Sequence, residues 1–226
     1  MNINLKERKR LFMKFNFIDF LSSQKKEKYW ENIEKVISKD NFVPSKELIF
    51  AAFDNFDFDN LKLVIIGQDP YPTNNNADGL AFSTNNLKTP ASLKNIFLEI
   101  KNSYPNSTFL TNNLSAWKNQ GVLLLNTILT TEENKTLSHK NIGWEIFNIN
   151  LLKKLILIKP NTLFLTMGKD AFDFIKKLNV NEDLIFKTPH PSPLSCWRGF
   201  IGSNVFKKIN DKLKQLGKKE IDWSTK

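Results

Sequence analysis

Apolar residues along the chain follow two different patterns. Four short runs of four to six residues are nearly continuous in apolar side chains, which is typical of strands buried on both faces. They are 63–66 (LVII), 122–125 (VLLL), 162–166 (TLFLT) and 183–188 (DLIFKT). Elsewhere apolar residues recur every three or four positions, which predicts amphipathic helices. The predicted helices cover 25–38, 45–53, 92–102, 114–120, 144–158, 169–178 and 203–216.

Strands without polar alternation, separated by helices, indicate a mostly parallel sheet that is covered by helices on both faces. We therefore predict an α/β fold: a single-domain three-layer sandwich with a central, mostly parallel four-stranded sheet flanked by helices. The sequence has no internal repeat, low-complexity tract or Pro/Gly/Ser linker. These features favour one domain over residues 1–226.

Polar or conformationally special residues follow each predicted strand. In parallel sheets of this kind ligands bind at the carboxyl ends of the strands, so these segments should meet along one edge. The segments are 67–72 (GQDPYP), 126–127 (NT), 167–169 (MGK) and 189–195 (PHPSPLS). They bring a carboxylate, an amide, a Gly-Lys turn and a histidine to the same edge, which predicts an active site there.

Three side chains at these strand ends each have a structural and a functional interpretation. Asp69 either caps a turn or acts as a rigidly held carboxylate, and the neighbouring Pro70 favours the second. Asn126 is either a turn residue or a reader of hydrogen-bonding edges, because an amide both donates and accepts. His190 lies between two prolines and is either structural or catalytic, whereas His139 fits a capping or bridging role near a helix start.

The loop after the last predicted strand combines polar groups with one leucine. Ser192, Ser195 and Arg198 supply hydroxyl and guanidinium groups of the kind that bind phosphate. Leu194 either makes a local core contact or acts as an apolar wedge that enters a stack of bases. Phe82 is either a core residue or a platform on which a base stacks.

The chain carries a formal net charge of +10 and has a pI near 9.5, which favours an anionic partner such as nucleic acid. A genome biased toward Lys and Asn codons would give the same charge without a function. Arg198 is the only arginine apart from Arg8 and Arg10. Its planar guanidinium suits phosphate better than a lysine ammonium does, which marks this position as a candidate contact.

Cysteine and histidine are scarce, with one Cys (Cys196) and two His. One cysteine cannot form an internal disulfide, and iron–sulfur and zinc–thiolate sites need several, so these counts argue against a metal site. No apolar run approaches the ~18 residues that span a bilayer. Polar residues interrupt the apolar part of 1–21, and no small-residue cleavage site follows. We expect a mature, cytoplasmic protein without a membrane segment.

Specific motifs occur in a fixed order along the chain. They are GQDPYP, GLAFS, GVLLLNTILT, SHKNIGWE, and HPSPLS followed by CWRGF and IG. From about residue 60 to about residue 206 the chain resembles a family 1 uracil-DNA glycosylase. The resemblance implies a monomeric DNA-repair enzyme of base excision repair that needs neither metal nor organic cofactor. Such an enzyme flips uracil out of single- or double-stranded DNA, hydrolyses the N-glycosidic bond, releases free uracil and leaves an abasic site.

The resemblance also implies catalytic roles. Asp69 would stabilise the cationic sugar and position the attacking water, and His190 would hydrogen-bond uracil O2 as negative charge builds on the leaving base. The backbone at Gln68 and Asp69 would assist at the base. Leu194 would fill the gap left by the flipped nucleotide.

Recognition of the base and of DNA follows from the same resemblance. Asn126 would read the N3–H and O4 edge and reject cytosine, Phe82 would stack on the base, and Tyr71 would occupy the space of a C5-methyl group and reject thymine. The implied DNA contacts are Pro90, Ser92, Gly168, Lys169, Ser192, Leu194, Ser195 and Arg198.

Several positions depart from the family pattern. Pro72 stands where the family commonly has a His that helps to hold the water, and the loss of that His would slow the chemistry. Asp78 replaces a usual His, Lys169 replaces a usual Ser, and the proline-rich loop is reduced to 89–92 (TPAS). The alternative hypothesis is a DNA-binding or assembly module that has kept the fold and lost activity. A nucleobase deaminase is excluded, because the H-x-E and P-C-x-x-C zinc pattern is absent.

Overall fold

The computed structural model describes residues 14–39, 41–73 and 75–225. The strands in these ranges are β1 (Phe42–Val43), β2 (Leu63–Gly67), β3 (Val122–Asn126), β4 (Thr131–Glu132), β5 (Leu163–Met167) and β6 (Ile185–Thr188). Four of them form a parallel sheet in the order β3-β2-β5-β6, and β1 pairs with β4 in a separate antiparallel ladder.

Helices cover both faces of this sheet. They are α1 (Phe17–Gln24), α2 (Trp30–Ile37), α3 (Ala91–Ser103), α4 (Ser115–Lys118), α5 (Trp144–Ile158), α6 (Lys169–Lys176) and α7 (Val205–Gln215). Short 3-10 turns occur at Lys46–Leu48, Phe58–Asn60, Glu182–Leu184 and Cys196–Arg198. The periodicity of apolar residues predicted α3 to α7 with errors of a few residues at their ends.

Alternate residues of the central strands are buried on opposite faces of the sheet. Val64 and Ile66 of β2 share one apolar cluster with Phe147 of α5, and α1, α2 and α6 also contribute to it. Leu63 and Ile65 belong to a second cluster, to which α3, α4 and α7 contribute. Successive side chains of a strand point to opposite faces, so a strand covered on both sides is continuously apolar. The predicted α/β three-layer sandwich with a parallel four-stranded sheet is confirmed.

The segment before residue 39 differs from the prediction. The helix predicted over 25–38 begins only at Trp30, because residues 25–29 form the turns that connect it to α1. The sequence pattern did not predict α1. Its first turn is capped by the side chain of Asn16, which accepts hydrogen bonds from the backbone N–H groups of Ile18 and Asp19 at 2.8 and 3.1 Å.

The helix predicted over 45–53 is reduced to the 3-10 turn Lys46–Leu48 and a series of turns. The backbone carbonyls of Ala51 and Asp54 accept hydrogen bonds from Lys118 Nζ, each at 2.6 Å. The backbone hydrogen bonds of this segment mostly span three residues, as from the Phe53 N–H to the Phe50 carbonyl at 2.8 Å, so it forms successive turns and not an α-helix.

None of the helices in the described ranges is long and apolar enough to cross a membrane. The prediction for the N-terminal stretch rests largely on residues 1–13, which lie outside the described residues together with Arg8 and Arg10. Arg198 is therefore the arginine whose position the structure gives.

A buried carboxylate fixes the segment that leads into α7. Glu99 of α3 is fully buried, and one carboxylate oxygen accepts from the backbone N–H of Asn204 at 2.7 Å and from the Ser203 hydroxyl at 3.2 Å. The other accepts from the backbone N–H of Gly202 at 2.6 Å and from the Asn102 amide at 3.1 Å. Each oxygen thus has two donors, which offset the loss of hydration of the charge.

Replacing Glu99 by Gln should lower the free energy of unfolding by about 1–3 kcal/mol, because the amide group presents a donor to backbone N–H groups and leaves buried groups unpaired. Urea unfolding followed by circular dichroism measures this change. Glu220→Gln is the control, because Glu220 is exposed and its ion pair with Lys214 is long (3.7 Å); a change below about 0.5 kcal/mol is expected for it. Equal stability of the two variants would contradict the anchoring role of Glu99.

Candidate active site

A cavity of about 150 Å³ opens at the carboxyl edge of the sheet, beside the ends of β2 and β3. The register of these strands pairs Gly67 with Asn126, so the residues that follow them emerge side by side. The predicted site residues that line the cavity are Gln68, Asp69, Tyr71, Phe82, Ser92, Asn126 and His190. Segments far apart in sequence therefore meet around one cavity, as the positions of the strand ends predicted.

The loop after β2 is fastened to the residues that follow β3. The backbone carbonyl of Gln68 accepts from the Thr127 hydroxyl at 2.8 Å and from the Ile128 N–H at 3.0 Å. The carbonyl of Gly67 accepts from the Thr127 N–H at 3.0 Å, and Pro70 restricts the backbone further. The Asp69 carboxylate is therefore carried by a rigid support.

The Asp69 carboxylate is partly buried at the cavity and accepts a hydrogen bond from the backbone N–H of Leu137 at 2.6 Å. Burial raises the pKa of this carboxyl above its ordinary value, and the hydrogen bond from Leu137 opposes the shift. Leu137 has a φ of +59°, a left-handed conformation that is unfavourable for a bulky residue. The protein thus holds a strained backbone donor against a poorly hydrated carboxylate.

His190 is held in one tautomer. Its Nδ1 accepts a hydrogen bond from the backbone N–H of Ser192 at 3.1 Å, and an N–H group can only donate. The neutral ring therefore carries its proton on Nε2, and burial lowers the pKa of His190, which favours this neutral form. Gly168 packs against it: a Cβ at Gly168 would lie 3.2 Å from His190 Cβ, and its φ of +101° favours glycine. His139 lies elsewhere, buried against the Thr130 hydroxyl at 2.9 Å.

Two aromatic rings form walls of the cavity. The Tyr71 hydroxyl donates to the backbone carbonyl of Phe82 at 3.2 Å, and burial and the nearby charge of Asp78 raise the pKa of Tyr71. The Phe82 ring lies 6.0 Å from the His190 ring between centroids, on a backbone with a φ of +64°. Asp78 is buried and accepts from the Ser83 hydroxyl at 2.6 Å, which fixes the loop that carries Phe82. Phe82 is thus held at the cavity by a constrained loop.

Asn126 is positioned by close packing and by a second asparagine. A Cβ on Gly67 would lie 2.2 Å from Asn126 Oδ1, so glycine is required for this approach. The buried side chain of Asn148 in α5 donates to the backbone carbonyls of Asn126 and Thr127, both at 3.0 Å. Asn148 was not predicted as a site residue, although a polar residue on the apolar face of a helix, four residues after Trp144, indicates a buried hydrogen bond.

Residues 191–200 form a loop beside the cavity that presents apolar side chains to solvent. Leu194 is 88% exposed and Trp197 is 74% exposed. The Ser195 hydroxyl donates to the backbone carbonyl of His190 at 2.7 Å and lies 2.9 Å from the Ser192 hydroxyl. Leu194 therefore makes no local core contact, and the first of its two interpretations is wrong.

The remaining predicted residues lie on two helix starts and on the same loop. Pro90 precedes α3 and Ser92 lies in its first turn, while Gly168 precedes α6 and Lys169 begins it. Arg198 is exposed on the loop that carries Leu194. The Gln68 side chain donates to the Asp170 carboxylate of α6 at 2.8 Å, which ties the loop after β2 to α6.

Pro72 lines the cavity together with Thr136, a residue that sequence analysis did not identify. The carbonyl of Pro72 accepts from the Asn134 N–H at 2.8 Å. No sequence pattern indicated that residues 134–137 return to the loop after β2, because irregular loops have no periodicity. In the part of the chain that the structure describes, no group of three or more His, Cys, Asp or Glu side chains could hold a metal ion.

The structure thus combines a parallel sheet with a cavity at its carboxyl edge. A carboxylate, an amide and a neutral histidine line this cavity. The family model described as the Uracil DNA glycosylase superfamily matches residues 53–214. The chain belongs to this superfamily.

Individual relatives match over most of their length. The chain is 45% identical to a protein of Mycoplasmopsis pulmonis named uracil-DNA glycosylase over 91% of this chain and 95% of the relative. It is 43% identical to one of the same name from Mesomycoplasma hyopneumoniae over 93% and 98%. Among solved structures, mimivirus uracil-DNA glycosylase is similar with a TM-score of 0.83 and 27% identity, over 99% of this chain and 90% of that chain.

Replacing Asp69 by Asn should stabilise the fold at pH 7. Because the folded-state pKa is raised, the folded protein binds more protons than the unfolded chain between about pH 4 and that pKa, so stability falls as the pH rises through this window. The neutral Asn removes this cost and keeps an acceptor for Leu137. Urea unfolding should give the variant a higher midpoint at pH 7, with a gain that shrinks toward pH 4.

Asp183→Asn is the matched control, because Asp183 is exposed on a 3-10 turn. It should leave the midpoint unchanged at both pH values. A variant at Asp69 that is no more stable than the wild type at pH 7 would show that the carboxylate is not held at a cost.

Proposed function

We propose that this chain is a uracil-DNA glycosylase of base excision repair, which flips uracil out of DNA, hydrolyses its N-glycosidic bond and leaves an abasic site. One observation carries the proposal: a partly buried Asp69 carboxylate and a neutral His190 with its proton on Nε2 line the same cavity. Cleavage of this bond makes the sugar cationic and the base anionic. A carboxylate and a neutral donor both stabilise these charges more strongly in the transition state than in the substrate.

The proposed reaction uses only the residues of the chain and water. The water oxygen bonds to C1′ as the C1′–N1 bond breaks, N1 keeps the electron pair, and Asp69 takes up the proton from water. His190 donates Nε2–H to uracil O2, where negative charge accumulates, and the rigid backbone at Gln68 and Asp69 supplies further polar groups. We propose that neither a metal nor an organic cofactor takes part.

Base selection is assigned to the walls of the cavity. The Asn126 amide would pair with N3–H and O4 of uracil, whereas cytosine presents the opposite donor and acceptor pattern and would be rejected. Asn148 supports this role because it holds the backbone of Asn126. Phe82 would stack on the base, and Tyr71, tied to the Phe82 carbonyl, would exclude the methyl group of thymine.

DNA contacts are assigned to the surface around the cavity. Flipping a nucleotide costs a few kcal/mol, and the exposed Leu194 would offset part of it by filling the vacated space. The residues proposed to bind phosphates and the backbone are Pro90, Ser92, Gly168, Lys169, Ser192, Ser195 and Arg198. We further propose that the whole chain forms one domain and acts as a cytoplasmic monomer on single- and double-stranded DNA.

One observation favours a different function, a DNA-binding or assembly module without activity. Pro72 lines the cavity beside Asp69 and offers neither a side-chain hydrogen bond nor a backbone N–H. This alternative predicts salt-dependent DNA binding without release of uracil.

A labelled oligonucleotide with one uracil tests the proposal directly. The purified protein should release uracil in buffer that contains EDTA, and Asp69→Asn and His190→Leu should each reduce the rate by about 100-fold or more. Asp183→Asn should be as active as the wild type. Wild-type protein that binds the oligonucleotide and releases no uracil would favour the alternative module.

Replacing Leu194 by Ala should reduce the rate on duplex DNA by about 10-fold or more while changing the rate on single strands less, because only a stacked duplex opposes flipping. Leu110→Ala is the control, since Leu110 is also exposed (79%) and lies outside the cavity and the loop. Equal losses on both substrates would contradict the role as a wedge.

Trp197 offers a binding measurement that does not depend on activity. Its side chain is 74% exposed, whereas the other tryptophans, Trp30, Trp117, Trp144 and Trp223, are at most 3% exposed. Quenching of tryptophan fluorescence by acrylamide therefore reports mainly on the loop that carries Leu194.

A further inference from the structure

A second loop, residues 131–138, contacts the Asp69 carboxylate. Two hydrogen bonds join it to the loop after β2: Asn134 N–H donates to the Pro72 carbonyl at 2.8 Å, and Leu137 N–H donates to Asp69 at 2.6 Å. Asn134 and Leu137 both have left-handed backbones, with φ of +60° and +59°. Asparagine adopts this conformation readily, whereas in a bulky residue such as Leu137 it persists only where the surroundings impose it.

Further hydrogen bonds within this loop supply that constraint. The Ser138 hydroxyl accepts from the Glu132 N–H at 2.6 Å and lies 2.9 Å from the Thr131 hydroxyl. The Thr131 hydroxyl also donates to the Lys135 carbonyl at 2.5 Å. The backbone between residues 134 and 137 therefore has a fixed path next to Asp69, and Thr136 on it is exposed to solvent.

Thr136 lies in this segment and lines the cavity with Asp69 and Pro72. It directly precedes the residue whose amide binds the Asp69 carboxylate. Nothing in the proposed reaction so far uses the Thr136 hydroxyl.

Other polar side chains around the cavity are already engaged. Gln68 donates to Asp170 and Tyr71 donates to the Phe82 carbonyl. Ser83 donates to the buried carboxylate of Asp78. Asn126 and His190 are assigned to the base, and Ser92, at the start of α3, to phosphate. Thr136 is thus a cavity-lining hydroxyl to which no role has been assigned so far.

An attacking water needs two anchors, because one hydrogen bond leaves it free to rotate about that bond. Its lone pair must point at C1′, and a second hydrogen bond, such as one donated to another acceptor, fixes that direction. Asp69 supplies one acceptor. Pro72 has no side-chain acceptor, and one of the two lone pairs of its carbonyl accepts from Asn134.

We propose that the Thr136 hydroxyl is the second anchor of the attacking water. The water donates one hydrogen to Asp69 and the other to Thr136 Oγ1, and its lone pair faces the sugar. As the bond to C1′ forms, Asp69 takes up its proton and the leaving base keeps the electron pair, so Thr136 positions the water without exchanging a proton. This inference rests on the proposed glycosylase function.

The test compares Thr136→Val, which keeps the shape and removes the hydroxyl, with Thr136→Ser, which keeps the hydroxyl. On a single-stranded uracil oligonucleotide, Thr136→Val should lower kcat by about 3- to 10-fold with KM unchanged, which is the effect of one lost hydrogen bond. Thr136→Ser should stay within about 2-fold of the wild type, since it restores the acceptor. In an Asp69→Asn background, Thr136→Val should have little further effect, because both residues act on the same water.

Thermal unfolding of each variant checks that the fold is kept, and Thr108→Val on the exposed surface is the matched control. The inference is overturned if Thr136→Val keeps the wild-type kcat, if Thr136→Ser is as slow as Thr136→Val, or if only KM changes. A wild-type protein without uracil release would instead overturn the proposed function, and the inference would fall with it.

Discussion

The close approach of β2 and β3 at Gly67 and Asn126 is the constraint on which the rest of the site depends. A side chain at Gly67 would overlap the Asn126 amide at 2.2 Å and Ala81 at 2.8 Å. With hydrogen in its place, the two strands end in register and the loops that follow them are tied together through the Gln68 carbonyl. The carboxylate on one loop and the amide on the other then face the same cavity. A displacement of either strand would move both groups.

Several features of the cavity are unfavourable for folding taken alone. Asp69 is poorly hydrated, and Phe82 and Leu137 have left-handed backbones. Two apolar clusters, one on each face of the sheet, offset these unfavourable free energies. Both include residues of the strands whose ends lie at the cavity. The arrangement separates the source of stability from the site of chemistry, which is common where a function needs strained or desolvated groups.

The sequence predicted the sheet and the side of it that carries the site, because both follow from regular patterns. Continuous apolar runs indicated strands such as 63–66, and the carboxyl ends of parallel strands meet at one edge. Asp69, Asn126 and His190 came together for this reason. The first helix was missed, since its start depends on the side-chain cap of Asn16, and residues 45–53 form turns that their helical periodicity did not indicate.

Other parts of the site depend on contacts that no local pattern encodes. Thr136 and Leu137 reach Asp69 only because an irregular loop returns to the cavity. Asn148 was detectable as a polar residue on an apolar helix face, but its partners, two backbone carbonyls, were not. The state of His190 likewise follows from a backbone N–H two residues away, a contact that depends on the conformation of the loop.

The helix α3 connects two of the surfaces to which DNA contacts are assigned. Ser92 lies in its first turn, Asn95 donates to the Pro191 carbonyl at 2.8 Å, and Glu99 binds residues 202–204. The loop with Leu194 is thus attached at both ends to the helix that also carries Ser92. The distance between these surfaces is set by one rigid element. In a protein that binds DNA through both, a single substitution that shifts α3 would move both surfaces at once and change their fit to the DNA.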